Sequence, residues 1–149
     1  MIKESLDGDV IISGRLEVKR LRKDIVLIDD SYNANPSSMM RAIDVLAEYK
    51  SNKILVIGDM AELGDFAIKH HKDLGKYILE KKIDAVFGVG KMTKLTIDIL
   101  GDIGRWYASN NDLSIDLKKL LEKECIVLIK GSRFMKMEEI VKNLESIKI

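Results

Sequence analysis

The sequence has few of the residues that mark several common classes of protein. A single cysteine, Cys125, among 149 residues excludes an internal disulfide and a cysteine-based metal cluster, and it fits a reducing, cytoplasmic setting. No apolar run approaches the roughly 18–20 residues that cross a bilayer, so the sequence predicts a soluble globular protein. One proline and 33% charged residues favour a structured, helix-containing domain over a disordered chain.

An excess of charge of one sign is also missing. The 25 Lys and Arg residues nearly balance the 24 Asp and Glu residues, which gives a formal net charge of +1. Proteins that bind nucleic acids or other polyanions usually carry a basic excess, so neither is a predicted partner. The length is that of about one domain, which can bury a core without a metal or disulfide framework.

Short apolar runs alternate with amphipathic stretches from residue 23 onward. This pattern predicts an α/β, Rossmann-like domain, in which helices cover both faces of a mostly parallel sheet of about five to six strands. The apolar runs are continuous rather than alternating, as expected for strands covered on both faces. The predicted strands are residues 25–29, 53–58, 84–89, 105–108 and 126–130, and the predicted helices are residues 36–50, 70–82, 91–100, 113–124 and 135–147.

The beginning of the chain has no strand–helix unit of its own. Residues 15–18 could form a hairpin with residues 25–29, which would make the basic run at 19–23 an exposed turn rather than a binding patch. At the first helix, Asn35 is predicted to be the N-cap, and Pro36 suits the first helical position because its missing N–H is not needed there.

Polar loops follow three of the predicted strands. Ligands of an open parallel sheet bind beyond the carboxyl ends of its strands. Residues 29–36, Asp-Asp-Ser-Tyr-Asn-Ala-Asn-Pro, suit ribose hydroxyls, Mg²⁺, a carboxylate or a base. Residues 130–133, Lys-Gly-Ser-Arg, predict an anion site in which Gly131 lets a ligand approach the backbone. Residues 58–64 could hold an amine, or could be an ordinary loop with Met60 and Leu63 turned inwards.

Two other patterns carry weaker signals. Adjacent histidines on a helix point about 100° apart, so His70 and His71 do not suit one metal ion, and a packing or capping histidine is the better interpretation. Residues 88–91, Gly-Val-Gly-Lys, are not a P-loop, and no GxxxxGK[ST] occurs anywhere in the chain. A GxGxxG motif after the first strand is also missing, which argues against a dinucleotide-binding domain.

Together, several segments closely resemble the C-terminal domain of the MurF branch of the Mur ligase family. They are residues 14–17 (Gly-Arg-Leu-Glu), 29–36, 57–64 and 130–133, with His71, Met135 and Glu138. The resemblance extends over essentially the whole chain. It implies that residues 1–14 are the tail of a central ATPase domain and linker, and that residues 15–149 are the C-terminal domain of a three-domain cytoplasmic ligase.

The resemblance also implies an activity and its residues. Such ligases use ATP and Mg²⁺ to add D-alanyl-D-alanine to UDP-N-acetylmuramoyl-tripeptide in peptidoglycan synthesis, which underlies the cell wall, cell shape and cell division. By position, the ATP-binding residues would be Arg15, Asp30 and Tyr32, and the dipeptide-binding residues would be Asn33, Asn35, Asp59, Glu62, Lys130, Ser132 and Arg133. The P-loop, the metal ligands and the UDP-sugar site belong to the other two domains, so no catalytic or metal-binding residue is expected here, and no ligase activity from this chain alone.

Other functions remain open. Within the family, the chain could be the C-terminal domain of a MurE-like or folylpolyglutamate synthase-like enzyme. Outside it, a phosphoacceptor receiver domain has a similar sheet, an acidic pair after its first strand and a lysine after its last. Against that alternative, Asp59 follows the second predicted strand instead of the third, and Lys130 precedes a glycine instead of a proline.

Overall fold

Six strands form one sheet across the part of the chain that the structure, a computed structural model, describes: residues 16–22, 24–121 and 124–146. Their order is β1-β2-β6-β3-β4-β5. Strand β1 is antiparallel to β2, and all other neighbours are parallel. The strands are β1 (Glu17–Arg22), β2 (Ile25–Asp30), β3 (Asn52–Ile57), β4 (Ala85–Val89), β5 (Gly104–Tyr107) and β6 (Cys125–Lys130). The predicted strands are all present, each within one residue of its predicted ends.

Helices cover both faces of the sheet. They are α1 (Pro36–Ala47), α2 (Ala67–Leu79), α3 (Thr93–Leu100), α4 (Asn110–Leu120) and α5 (Glu138–Glu145), with short 3₁₀ turns at Gly64–Phe66, Gly101–Ile103 and Arg133–Met135. Side chains of α1, α2 and α3 form one buried cluster with the sheet, and those of α4 and α5 form a second. Successive strand residues such as Leu27 and Ile28 enter opposite clusters, which confirms the Rossmann-like α/β prediction. Among the described residues, no helix combines the length and apolarity needed to span a membrane.

The helix ends differ from the prediction by up to four residues. Helix α4 begins at Asn110 rather than at residue 113, because the Ser109 side chain accepts a hydrogen bond from the Asp112 N–H and acts as the N-cap. Helix α5 begins at Glu138, after Lys136 has adopted a left-handed backbone with φ of 54°. Capping chemistry, rather than apolar spacing, therefore determines these boundaries.

The hairpin prediction is confirmed, but residues 19–22 of the basic run belong to a strand and not to a turn. Strand β1 continues to Arg22 and pairs with β2, with Glu17 opposite Asp29. Within the run, Leu21 is 2% exposed and lies in the core, which draws its neighbours into the strand. Lys19 Nζ donates to Glu145 Oε2 at 3.1 Å and joins β1 to α5. Residues 1–15, including the predicted linker and Arg15, lie outside the described residues.

Asn35 caps α1 as predicted. Its Oδ1 accepts a hydrogen bond from the Ser38 N–H at 2.8 Å, and Ser38 Oγ accepts one from the Asn35 N–H at 3.0 Å. Pro36 occupies the first helical position. This reciprocal pair orients the loop that follows β2, because it fixes the direction in which the chain enters the helix.

Replacing this cap tests its contribution to stability. Asn35→Ala is expected to lower the free energy of unfolding by about 1 kcal/mol, because the Ser38 N–H loses its acceptor. Urea denaturation monitored by circular dichroism measures the change. Asn111→Ala is the matched control, since Asn111 is exposed in the first turn of α4 and is not its cap. Equal losses in the two variants would contradict the capping role.

Candidate functional site

The polar loops predicted to form a site meet at the carboxyl edge of the sheet. Strands β2, β6 and β3 are neighbours, so the segments that follow them, at 31–35, 131–133 and 58–63, lie side by side. In the parallel register, Asp30 at the end of β2 is directly opposite Lys130 at the end of β6. The sheet order therefore brings together residues that are 100 positions apart in the chain.

Lys130 and Asp30 form a buried ion pair. Lys130 Nζ donates to Asp30 Oδ2 at 2.8 Å and to the Asn33 carbonyl oxygen at 2.8 Å. The two residues are 3% and 7% exposed. Burial raises the pKa of Asp30 above its usual range, and the Lys130 charge acts in the opposite direction. The other carboxylate oxygen, Oδ1, accepts the Leu16 N–H at 3.0 Å, which fixes the backbone next to Arg15.

A cavity of about 380 Å³ opens beside this ion pair. Its volume lies within the range of small-molecule sites, about 300–1,000 Å³. Four of its lining residues were predicted site residues: Asp30, Asn33, Asn35 and Lys130. Sequence reasoning missed the other three, Leu16, Ser38 and Arg41. Ser38 and Arg41 recur at three-residue spacing from Asn35 along one side of α1.

Tyr32 and Arg133 form a second contact between the loops after β2 and β6. The guanidinium carbon of Arg133 lies 5.1 Å from the centroid of the Tyr32 ring, within cation–π distance. The Arg133 side chain is exposed, whereas Tyr32 is half-buried. A planar cation is thus available at the open edge of the sheet.

Asp59 is buried, and its carboxylate bonds to the N-terminus of α3. Oδ1 accepts the Thr93 N–H at 2.7 Å and the Thr93 hydroxyl at 2.6 Å, and Oδ2 accepts the Met92 N–H at 3.1 Å. The residue is 7% exposed. Gly90 permits this approach, because a Cβ there would lie 2.4 Å from Asp59 Oδ1. The structure therefore places Asp59, predicted as a ligand of substrate, as the cap of a helix.

The backbone of Asp59 also holds the loop after β6. Its carbonyl oxygen accepts the Ser132 hydroxyl at 2.6 Å and the Ser132 N–H at 3.2 Å. Ser132 is 1% exposed. A Cβ at Gly131 would lie 2.4 Å from Met137 Cγ, so internal packing requires a glycine here. The expectation that Gly131 also lets a ligand approach the backbone stays a prediction.

His71 fixes the loop after β3, as expected for a packing histidine. Its Nε2 accepts the Met60 N–H at 3.1 Å, and its Nδ1 lies 2.7 Å from the Ala67 carbonyl oxygen, which together indicate the Nδ1-protonated tautomer. Met60 is 4% exposed and Leu63 packs against the core, so both side chains turn inwards. Glu62 is exposed, with a left-handed φ of 59° that is unusual outside glycine.

The site thus divides into surface groups and supporting groups. Arg133, Asn33, Asn35 and Glu62 are exposed at the carboxyl edge, and Asp30 with Lys130 lines the cavity. Asp59, Ser132, Thr93 and His71 are buried and connect the loops. Within the described ranges, no three His, Cys, Asp or Glu side chains are grouped closely enough to hold a metal ion.

Comparison with known proteins supplies an independent result. Residues 14–133 match the family model described as Mur ligase, glutamate ligase domain. A UDP-N-acetylmuramoyl-tripeptide–D-alanyl-D-alanine ligase of Buchnera aphidicola subsp. Acyrthosiphon pisum is 40% identical over 96% of this chain and 32% of its own length. The Escherichia coli protein of the same name is 38% identical over 97% of this chain and 32% of its own length.

Solved structures give the same answer. A crystal structure of MurF from Acinetobacter baumannii superimposes with a TM-score of 0.86 and 30% identity, covering 96% of this chain and 32% of that chain. The chain therefore spans about a third of the length of the proteins it matches.

Proposed function

Because the chain belongs to the Mur ligase family, we propose that it acts as the C-terminal domain of an ATP-dependent amide ligase that adds D-alanyl-D-alanine to UDP-N-acetylmuramoyl-tripeptide. The match to UDP-N-acetylmuramoyl-tripeptide–D-alanyl-D-alanine ligases over nearly the whole chain is the observation that carries the proposal. The ligase would act in the cytoplasm, in peptidoglycan synthesis. Within it, residues 1–14 would belong to the preceding domain and linker.

The receiver-domain alternative is wrong. The family match assigns the chain elsewhere, and the would-be phosphoacceptor Asp59 is 7% exposed with both carboxylate oxygens hydrogen-bonded to α3. A phosphodonor would need an open carboxylate. The MurE-like and folylpolyglutamate synthase-like alternatives differ in the incoming amino acid, and the experiment below separates them.

The cavity beside Asp30 supports binding of the ATP ribose. From the described residues, each oxygen of Asp30 accepts one hydrogen bond, and a carboxylate oxygen can accept a second from a ribose hydroxyl. Arg15 would then reach the phosphates from the linker, and Tyr32 would lie between nucleotide and dipeptide. Mg²⁺ would be held by the other domains.

The exposed edge supports binding of the dipeptide. A guanidinium presents two parallel N–H donors to a carboxylate, so Arg133 would bind the C-terminal carboxylate of D-alanyl-D-alanine. Asn33 and Asn35 would contact its peptide group, and Glu62 would attract its ammonium group. The loops that carry the dipeptide-binding residues would be held in place by three buried residues, Lys130, Asp59 and Ser132.

In this arrangement the chain binds and orients the incoming nucleophile. The dipeptide amine must meet the activated carboxyl group of the tripeptide, which the other domains would present. Holding two reactants in a fixed geometry replaces a bimolecular encounter by an intramolecular one. The contribution of this domain is therefore orientation of the amine and closure over the nucleotide.

A domain replacement tests the proposal directly. The C-terminal third of the Escherichia coli ligase is replaced by this chain, and the product is detected by mass spectrometry with each possible nucleophile. We expect ATP-dependent ligation of D-alanyl-D-alanine, and none of glutamate, lysine or diaminopimelate. The isolated chain is expected to give no product.

The matched control is the same replacement with the corresponding domain of the Buchnera relative. An active control beside an inactive chimaera of this chain would overturn the proposal. Ligation of a single amino acid in place of the dipeptide would instead support one of the other ligase types.

A further inference from the structure

The position of Arg133 is fixed through its backbone. Ser132, immediately before it, is anchored by two hydrogen bonds to the Asp59 carbonyl oxygen. The Lys136 N–H donates to the Arg133 carbonyl oxygen at 3.1 Å and closes the 3₁₀ turn. The remaining freedom of Arg133 therefore lies in its long side chain, whose rotamers carry about 2 kcal/mol of entropy.

The backbone on both sides of Tyr32 is also held by hydrogen bonds. The preceding residue, Ser31, donates its N–H and its hydroxyl to Asp29 Oδ1 at 3.1 Å and 2.6 Å. The carbonyl oxygen of the following residue, Asn33, accepts Lys130 Nζ at 2.8 Å. The ring thus stands on a fixed segment of backbone, 5.1 Å from the guanidinium carbon of Arg133.

A stacked guanidinium keeps its hydrogen-bonding capacity. Cation–π contact uses the face of the planar group, whereas its N–H donors point outwards in the plane. An aromatic ring can therefore restrict the orientation of an arginine without competing for the donors that a carboxylate needs.

We propose that Tyr32 is a positioning residue, whose ring holds the Arg133 guanidinium in the orientation that receives the carboxylate of the incoming dipeptide. This inference rests on the proposed function. It assigns Tyr32 to the dipeptide half of the site, which makes a prediction different from a direct nucleotide contact: the KM for the dipeptide should depend on the ring, and the KM for ATP should not.

Tyr32→Leu and Tyr32→Phe in the chimaeric ligase test the role. Tyr32→Leu removes the ring and is expected to raise the KM for D-alanyl-D-alanine about three- to tenfold, with kcat and the KM for ATP unchanged. Tyr32→Phe keeps a ring face and is expected to retain the parent KM values. Initial rates at varied dipeptide and varied ATP measure both.

The control variant removes a second cation–π pair that has the same distance between the cation and the ring centroid. Lys81 Nζ lies 5.1 Å from the centroid of the Tyr77 ring, near the end of α2 and away from the carboxyl edge of the sheet. Tyr77→Leu is expected to leave both KM values unchanged. A rise in the KM for ATP in Tyr32→Leu, or the same rise for the dipeptide in Tyr32→Phe, would overturn the positioning role.

Nuclear magnetic resonance of the isolated chain separates this inference from the proposed function. The Arg133 Hδ protons should be shifted upfield by the ring in the parent and in Tyr32→Phe, and not in Tyr32→Leu. An unshifted parent resonance overturns the inference whatever the ligase does. An inactive chimaera beside an active Buchnera control overturns the proposed function instead.

Discussion

Lys130→Met is expected to lower the free energy of unfolding by about 3–5 kcal/mol, because it leaves the carboxylate of Asp30 buried without its partner. Asp30 is 7% exposed, and Lys130 Nζ is 2.8 Å from its Oδ2. The same substitution also removes the donor to the Asn33 carbonyl oxygen. Methionine matches the length of the lysine stem, so packing changes little and the loss measures the charge and its hydrogen bonds.

The pH dependence of this loss follows from the pKa of Asp30. Burial raises that pKa above its unfolded value, so the contribution of Asp30 to stability is present below the unfolded pKa and is lost as pH rises through the folded pKa. Without Lys130, which opposes the effect of burial, this loss becomes larger. The difference between Lys130→Met and the parent should therefore shrink as the pH is lowered into the range where Asp30 binds a proton.

Two further variants complete the experiment. Asp30→Asn combined with Lys130→Met should recover part of the stability at neutral pH, because it removes the unpaired charge. Lys91→Met is the matched control, since Lys91 is exposed and should change stability by less than about 0.5 kcal/mol. Urea denaturation across pH measures all of them. A Lys130→Met loss no larger than the control would contradict a structural ion pair.

The strands could be predicted from the sequence almost to the residue, and the helix ends could not. Parallel strands buried on both faces are short, continuous apolar runs, and residues such as Ile54 and Leu55 show this directly. Helix ends depend on single side chains, and a Ser109 or a left-handed Lys136 carries no apolar periodicity. The charges at 19–23 favoured the prediction of an exposed turn, because a single apolar residue among them, Leu21, did not indicate a strand that contacts the core.

The site could be predicted at the level of loops but not of contacts. Polar segments after parallel strands must meet at one edge, so the clustering of residues 29–36, 58–64 and 130–133 followed from the strand pattern. Whether Lys130 faces a ligand or Asp30 depends on β6 lying between β2 and β3, and consecutive order along the chain does not reveal that. The bond from Thr93 to Asp59 likewise depends on where α3 begins.

Asp59→Ala is expected to cost about 3–5 kcal/mol of unfolding free energy, comparable to the loss of the ion pair. The variant removes the acceptor of three hydrogen bonds and leaves the Met92 and Thr93 N–H groups and the Thr93 hydroxyl without it. It also removes negative charge from the positive end of the α3 dipole. Asp98→Ala is the control, because Asp98 is exposed on the same helix.

A second variant separates capping by Asp59 from the general cost of a cavity. Thr93→Val removes only the hydroxyl bond and is expected to cost about 1 kcal/mol, and the double variant should cost less than the sum, because both changes remove the same contact. Strict additivity would contradict the shared bond. Hydrogen exchange gives a further check: the Met92 and Thr93 amides should exchange faster in Asp59→Ala. The Ser132 amide donates to the Asp59 carbonyl oxygen. It should also exchange faster in Asp59→Ala if the side-chain bonds of Asp59 stabilise the loop after β6.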